Sequence, residues 1–340
     1  MSAGNSEDKP NLRSIASLAG VSHMTVSRVL NDHPNIRPET REKVLRVVEE
    51  LNYQRNSAAR ALATRKSRRI GVIVDRPVEI GPDSTLRAVE HAAREAGYSV
   101  SSVAASPDDD GVRPREAMSY LTAHGIDALC VIAPRASSVD VLRELTDGLP
   151  TLIVKADDDA NFLTASVDQR LGATLAVQHL MDLGHREIVH VAGPLDWLDA
   201  RARERGWHAH LKKAGLHIPP AFVGDWSADS GYEFAVAFDE LPPFTAIFAA
   251  NDQMALGILH GFRDRGIRVP EDVSVVGFDD LSVSRHFLPT LTTVRQDFHA
   301  LGTLVVELLV AALEGDRSER SSRIAPELIV RESTARPRSM

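Results

Sequence analysis

"GVSHMTVSRVLN", Gly20 to Asn31, decides how this 340-residue chain begins. Read as a helix, it places Val26, Val29 and Leu30 at the i, i+3, i+4 spacing of an inward stripe. The opposite side then holds His23, Met24, Ser27, Arg28 and Asn31, a face of one cation, several hydrogen-bonding groups and a thioether. Upstream, "NLRSIASLAG" predicts a helix capped by Asn11 with Leu12, Ile15, Ala16 and Ala19 inward. Gly20 can take the positive φ of a sharp helix-to-helix turn, Val21 can plug the angle, and Ser22 can cap the second helix by accepting from the amide of Met24 or Thr25. Downstream, "PETREKVLRVVEELNY" predicts a third helix with Pro38 in its first turn and Val44, Val47, Val48 and Leu51 inward. Helix, glycine turn, capped short helix, loop and longer helix make a helix-turn-helix. In that arrangement the second helix lies in the DNA major groove. His23, Met24 and Arg28 then face base edges, Arg28 with a fork suited to guanine, while Thr25, Ser27 and Asn31 face phosphates and fix register.

Charge supports that reading. Residues 1–70 carry 13 Lys and Arg against 7 Asp and Glu, a net of +6, which leaves −14 on the remainder of a chain whose total is −8. Six bases, Arg55, Arg60, Arg65, Lys66, Arg68 and Arg69, fall in residues 53–70 with no acid among them. A basic head on an acidic body implies that the head meets the polyanion. The plain alternative is a solvated basic linker.

From Ile70 onward, short apolar strands alternate with helical stretches: "RIGVIVD", "STLRAVEHAAREAGY", "SVSSVAA", "REAMSYLTAHG", "DALCVIAP", "VDVLRELTDGL", "PTLIV". The rhythm resumes in "LGATLAVQHLMDLGH", "REIVHVAG", "FTAIFAAND", "QMALGILHGFRDRG" and "VSVVGFDD". It implies parallel sheets with helices on both faces, and two such units imply a cleft where strand ends and helix N-termini meet. No run of about 18 apolar residues is present, so no membrane span is expected. The polar start "MSAGNSEDKPNLRS" lacks the apolar stretch of a secretory signal, so cytoplasm is the expected location. The single cysteine, Cys130, lies in the apolar run "IDALCVIAP" and reads as an inert strand residue.

The stretches "LAGVS", "TVSRVLN", "ETREKV" and "ELNY" resemble, at family spacing, the DNA-binding head of the LacI/GalR family of transcription repressors. "HLMDLGHREIVHVAGP", "ANDQMALGIL", "VPEDVSVVGFDD" and "LTTVRQDF" resemble that family's periplasmic-binding-protein-like core, so the resemblance spans essentially the whole chain. It implies an N-terminal all-α helix-turn-helix domain on a two-lobed, doubly wound α/β core. The head would occupy residues 1–56 and a hinge helix 57–68; an effector-binding and dimerisation core would fill 69–340, its N-lobe about 69–168 and 298–325 and its C-lobe about 169–294 and 326–340. Ser22, Tyr53 and Asn56 would join the phosphate contacts, and in the hinge "NSAARALA" Leu62, beside Ala59, would wedge into the minor groove.

The resemblance implies an effector site of Gly81, Pro82, Lys155, Asp168, Arg203, Trp226, Asn251, Asp279, Gln296 and Phe298. A forked arginine with carboxylate and amide groups suits adjacent hydroxyls, and an indole suits the C–H face of a sugar ring. Trp207 reads as core, and Trp197 as either core or pocket rim. Two positions depart from the family in the head: Arg55 where proline is usual, and Arg37 where a serine-like cap is usual. In the body, Lys155 stands where a sugar-contacting aspartate occurs in the family member with the nearest body motifs. A lysine only donates, which implies a different sugar or a different pose.

The function expected is a sugar-responsive repressor that binds a near-palindromic operator as a homodimer, with no cofactor and no metal. The end "RESTARPRSM" lacks a heptad repeat, which favours a dimer over a tetramer. A corepressor-dependent regulator, as purine-responsive members of the family are, is the alternative within the class. A free sugar-binding protein or a sugar-modifying enzyme are the alternatives outside it. The acidic runs "PDDDG" and "ADDDA" read as surface loops, His208 and His210 diverge on their helix and cannot share a metal, and no dinucleotide or phosphate-loop motif follows a strand.

Overall fold

The computed structural model describes residues 10–30, 33–53, 66–75, 80–105, 112–132, 135, 146, 148–157, 159, 161–238, 243–316, 318 and 320–337. Contacts divide the chain into a head that ends at Lys66 and a body that begins at Ser67. Asn31, Arg55, Asn56, Ala59 and Leu62 lie outside the described residues, as do "PDDDG" and most of the "VDVLRELTDGL" stretch.

The head is three helices: α1 (Leu12–Ala19), α2 (His23–Leu30) and α3 (Pro38–Glu50). Asn11 caps α1 by accepting from the amides of Arg13 and Ser14, and the Ser14 side chain closes a reciprocal capping box. Gly20 ends α1 at φ 61°, the left-handed conformation that lets the chain turn at once into α2. Ser22 Oγ accepts from the Thr25 amide at 3.0 Å. α3 starts on Pro38, and Arg37 at its N-cap supplies no side-chain cap. Ile15, Ala16, Ala19, Val26, Val29, Val44 and Val47 form the core, with Leu12, Val21, Leu30, Val48, Leu51 and Tyr53 packed against it.

The body holds two six-stranded sheets. The N-lobe sheet uses β1 (Arg69–Asp75), β2 (Ser99–Ala105), β3 (Ala128–Ile132), β4 (Thr151–Val154), β5 (Leu163–Val167) and, from far along the chain, β11 (Ser321–Ile324), in the order β11-β5-β4-β3-β1-β2, all parallel. Alternation along β1 sends Ile70, Val72 and Val74 toward α4 (Ile80–Glu95) and α10 (Phe298–Leu313), and Ile73 toward α5 (Val112–Ala123). Cys130 is buried in this sheet, where desolvation pushes its thiol up to about 12. Burial and the raised pKa both disfavour the reactive thiolate, in line with its reading as a strand residue.

The C-lobe sheet uses β6 (Ile188–Ala192), β7 (Phe222–Val223), β8 (Ala246–Ala249), β9 (Ser274–Asp279), β10 (Thr292–Arg295) and β12 (Glu327–Ile329), in the order β12-β10-β9-β8-β6-β7. The sheet is parallel as expected except at one edge, where β12 runs antiparallel to β10. α6 (Gln169–Asp182) and α7 (Leu198–Lys213) cover one face with Trp207 at its centre; α8 (Ala228–Val236) and α9 (Asp252–Asp264) cover the other. The chain passes between sheets three times, from β5 into α6, from β10 into α10, and from β11 into β12. Among the described residues no helix is long and apolar enough to cross a membrane.

Candidate effector cavity and nucleic-acid face

A cavity of about 650 Å³, its open mouth included, lies where the carboxyl ends of both sheets meet. Open α/β sheets place ligands in this position, because loops and helix N-termini converge there. The N-lobe contributes Ile132, Val154, Ser166 and the start of α4 with Gly81, Pro82 and Thr85. The C-lobe contributes Trp197, Asp199 and Arg203 from α7 and the loop before it, with Trp226, Asn251 and Asp279. Gln169, Gln296 and Phe298 come from the crossovers.

Arg203 is 5% exposed, and its guanidinium lies 3.9 Å from the Phe278 ring centroid and 5.6 Å from that of Trp226. Its Nε donates to Gln169 Oε1 at 2.8 Å, and a second nitrogen donates to the Ala250 carbonyl. Gln169 Nε2 donates to Gln296 Oε1 at 2.8 Å, Gln296 Nε2 donates to Asp279 Oδ1 at 2.7 Å, and Asp279 lies 3.9 Å from Arg203. This closed ring ties two crossovers to the floor of the C-lobe. Burial lowers the Arg203 pKa, while Asp279, Asp199 and Asp252 hold the charge in place.

Trp226 sits at φ 76°, a conformation that bulky residues avoid, and Asn251 Nδ2 fixes it by donating to its carbonyl at 3.0 Å. Asn251 also caps α9, accepting from the Met254 amide at 2.7 Å. The indole lies on Gly193, where a Cβ would stand 2.3 Å from a ring carbon. Trp197 meets it edge-on, centroids 5.7 Å apart at 71°. Asp279 and Asp280 follow at φ 111° and 53°, so three strained backbone positions lie in or beside the cavity wall. Behind the wall, Asp252 accepts from the Leu281 amide, Ser284 Oγ and Thr293 Oγ1, and burial raises its carboxyl to about 7.

Eight of the ten effector residues expected from the sequence therefore line one cavity: Gly81, Pro82, Arg203, Trp226, Asn251, Asp279, Gln296 and Phe298. The other two lie outside that lining. Lys155 is buried outside the lining, its Nζ donating to Asp159 Oδ2 at 2.7 Å. Asp168 caps α6, its Oδ1 accepting from the Leu171 amide at 2.9 Å. Sequence reasoning missed Gln169, Ser166, Gln253 and Asp199. Asp199 was within reach of it, since it lies four residues before Arg203 on the same face of one helix. Trp197 both lines the cavity and packs in the C-lobe core, while Trp207 is core, its Nε1 donating to the Ile188 carbonyl.

In the head, α2 exposes His23, Met24 and Arg28, with Met24 62% exposed, while Ser27 and Thr25 are half-buried. An exposed methionine between two exposed polar side chains is a costly surface to leave unpartnered on so small a domain. Tyr53 packs its ring on the head's core. Among the described residues no cluster of His, Cys, Asp or Glu could hold a metal.

Two family models match the chain: bacterial regulatory proteins of the lacI family over residues 11–56, and a periplasmic binding protein-like domain over residues 177–334. The lactose operon repressor of Escherichia coli K12 is 34% identical over 330 residues, 96% of this chain and 91% of that protein. The HTH-type transcriptional repressor PurR of Haemophilus influenzae PittEE is 32% identical over 335 residues, 95% and 98% of the two chains. The crystal structure of the lac repressor dimer bound to operator and the anti-inducer ONPF superposes with a TM-score of 0.84 at 33% identity, covering 96% of this chain and all of that one.

Proposed function

The chain belongs to the lacI family of bacterial regulatory proteins, DNA-binding transcription repressors rather than enzymes, and from that premise we propose that it is a saccharide-responsive repressor acting as a homodimer on a near-palindromic operator. The observation that carries the effector half is the cavity at the seam of the lobes. It joins a forked cation, two carboxylates, four side-chain amides and two indoles, a set suited to hydroxyl-rich rings. Its ring of Arg203, Gln169, Gln296 and Asp279 supports a role in switching, because a ligand that engages it pulls on two interlobe crossovers at once.

In the head, His23, Met24 and Arg28 read bases, while Ser22, Thr25, Ser27, Asn31, Tyr53 and Asn56 hold phosphates. Leu62, beside Ala59 in the hinge of residues 57–68, enters the minor groove at the operator centre. Two such heads need a two-fold body, so the core of residues 69–340 dimerises. Sugar binding favours one arrangement of the lobes, withdraws support from the paired hinges and lowers operator affinity in proportion to its preference for that arrangement.

The test is a thermal-shift screen of the full chain against a saccharide panel with nucleobases as controls, together with selection of bound DNA from a random duplex library. A sugar-specific rise in Tm together with a recovered near-palindrome is the expected result. A rise with nucleobases alone would replace the saccharide by a corepressor-type ligand, and recovery of no sequence preference would remove the repressor reading.

A further inference from the structure

Asp127 stands immediately before β3, in the turn that follows α5, and its carboxylate holds the chain where the body begins. Oδ1 accepts from the Ser67 amide at 3.0 Å, and Oδ2 accepts from the Arg68 amide at 2.7 Å. Further bonds fix the same stretch. The Asp127 amide donates to the Arg69 carbonyl at 2.8 Å, the Ser99 amide donates to the Arg68 carbonyl at 2.9 Å, and an Arg69 guanidinium nitrogen donates to the His124 carbonyl at 2.6 Å. Between these bonds Arg68 is held at φ 50°, a left-handed conformation that a residue with a side chain keeps only where its surroundings impose it.

Pairing within the sheet does not call for this clamp. The register of β1 with β2 starts at Arg69 and with β3 at Ile70, so Asp127 grips two residues that precede the strand. They lie at the amino ends of β1 and β3, the end of the N-lobe sheet away from the cavity, whose wall takes Ile132 from the carboxyl end of β3. The division of the chain into head and body falls between Lys66 and Ser67, at the clamp itself. Two heads on one operator bind with an effective concentration set by the length of chain that joins each to the body. Release of Ser67 and Arg68 adds up to about 7 Å to that length in each subunit, the rise of about two base pairs.

We propose that Asp127 is a positioning residue for operator binding: by clamping the Ser67 and Arg68 amides it fixes the point from which the head is tethered, and so sets the half-site spacing that the dimer accepts. The inference rests on the reading of the chain as a two-headed repressor. It adds the residue in the body that limits where the heads can reach.

The experiment is fluorescence anisotropy of the full chain on the operator selected from the random duplex library, on versions with one or two base pairs added or removed at its centre, and on random DNA. Thermal melting followed by circular dichroism accompanies each protein. One added base pair moves a half-site by about 3.4 Å and turns it by roughly 35°. The native chain is therefore expected to lose at least about tenfold in affinity at every altered spacing. Asp127→Ala frees both amides. It is expected to bind the original spacing about tenfold more weakly, to bind the altered spacings within about threefold of the original, and to keep its Kd on random DNA within about twofold. Asp127→Asn keeps one acceptor oxygen, so it is expected to fall between the two, and it serves where the alanine variant does not fold. A variant that discriminates spacing as steeply as the native chain overturns the proposal and leaves the repressor reading standing. So does an equal loss on operator and random DNA, which would make Asp127 a support of β1 alone. A native chain that selects no operator, or binds every spacing alike, overturns the two-headed reading and this proposal with it.

Discussion

Arg203 is central to the proposed effector site, because its fork reaches both a crossover amide and the C-lobe backbone from within the cavity wall. Truncation to alanine leaves the Gln169 and Ala250 acceptors unpaired inside the cavity and removes the cation. Arg203→Ala is expected to retain operator binding and to lose at least tenfold in sugar affinity, as fluorescence anisotropy on operator DNA with and without the sugar would register. A fully induced response in the variant would remove Arg203 from the site. Gly193 offers a second probe of the same wall. A Cβ there would stand 2.3 Å from the Trp226 ring, so Gly193→Ala displaces the indole and weakens sugar binding with the head untouched. Unchanged affinity would mean that the ring face makes no ligand contact.

His190, fully buried and stacked on Phe248 with centroids 4.6 Å apart, carries a pH prediction. Burial drives its imidazole from 6.5 down to about 4, so the folded state holds the neutral ring where the unfolded chain would already be protonated. The stability it confers is fully present above pH 6.5 and is lost as pH falls toward 4, by about 3 kcal/mol in total. The Tm of His190→Gln is expected to fall less than that of the native chain across this window. Parallel pH profiles of the two proteins would contradict the assignment.

At the scale of elements, the head was legible because its signals are local. Asn11, Gly20, Ser22 and Pro38 each act within four residues, and each does what its position implied. The body's strands were legible for the same reason, since a doubly covered strand such as β3 reads as an unbroken apolar run. The effector wall was legible only in part. Lys155 and Asp168 both stand at strand ends, and spacing alone does not say that Asp159 turns one aside or that the Leu171 amide occupies the other. The bond from Gln169 to Gln296 joins residues 127 apart, and no periodicity encodes such a pairing. The antiparallel edge of β12 was hidden because three residues carry too short a pattern to set a direction.

The capping box on α1 should matter more than its size suggests, because the head has only three short helices to hold its reading surface. Asn11→Ala is expected to lower the stability of the head by about 1 kcal/mol, read as an earlier loss of helical signal on heating. On α2, Arg28→Ala should weaken specific operator binding by about 1–3 kcal/mol and relax preference at one base pair, while non-specific binding changes little. Equal loss on specific and random DNA would make Arg28 a phosphate contact instead.

At the scale of the whole molecule, two largely parallel sheets joined by three passages of the chain make a body whose cavity and crossovers are one structure. Ion pairs across the seam, Asp157 with Arg170 and Arg205 and Arg135 with Asp196, are partly solvent-exposed and contribute about 0–1 kcal/mol each. These exposed pairs add little to holding the lobes in one arrangement, and a ligand shifts such an arrangement only by its differential affinity for the two states. The most direct test of the central claim is fluorescence anisotropy of the full chain on its selected operator, titrated with the neutral sugar that raises its Tm. The account predicts that saturating sugar raises the operator Kd at least tenfold while leaving Kd on random DNA unchanged. An operator Kd that stays constant or tightens under a bound sugar would contradict it.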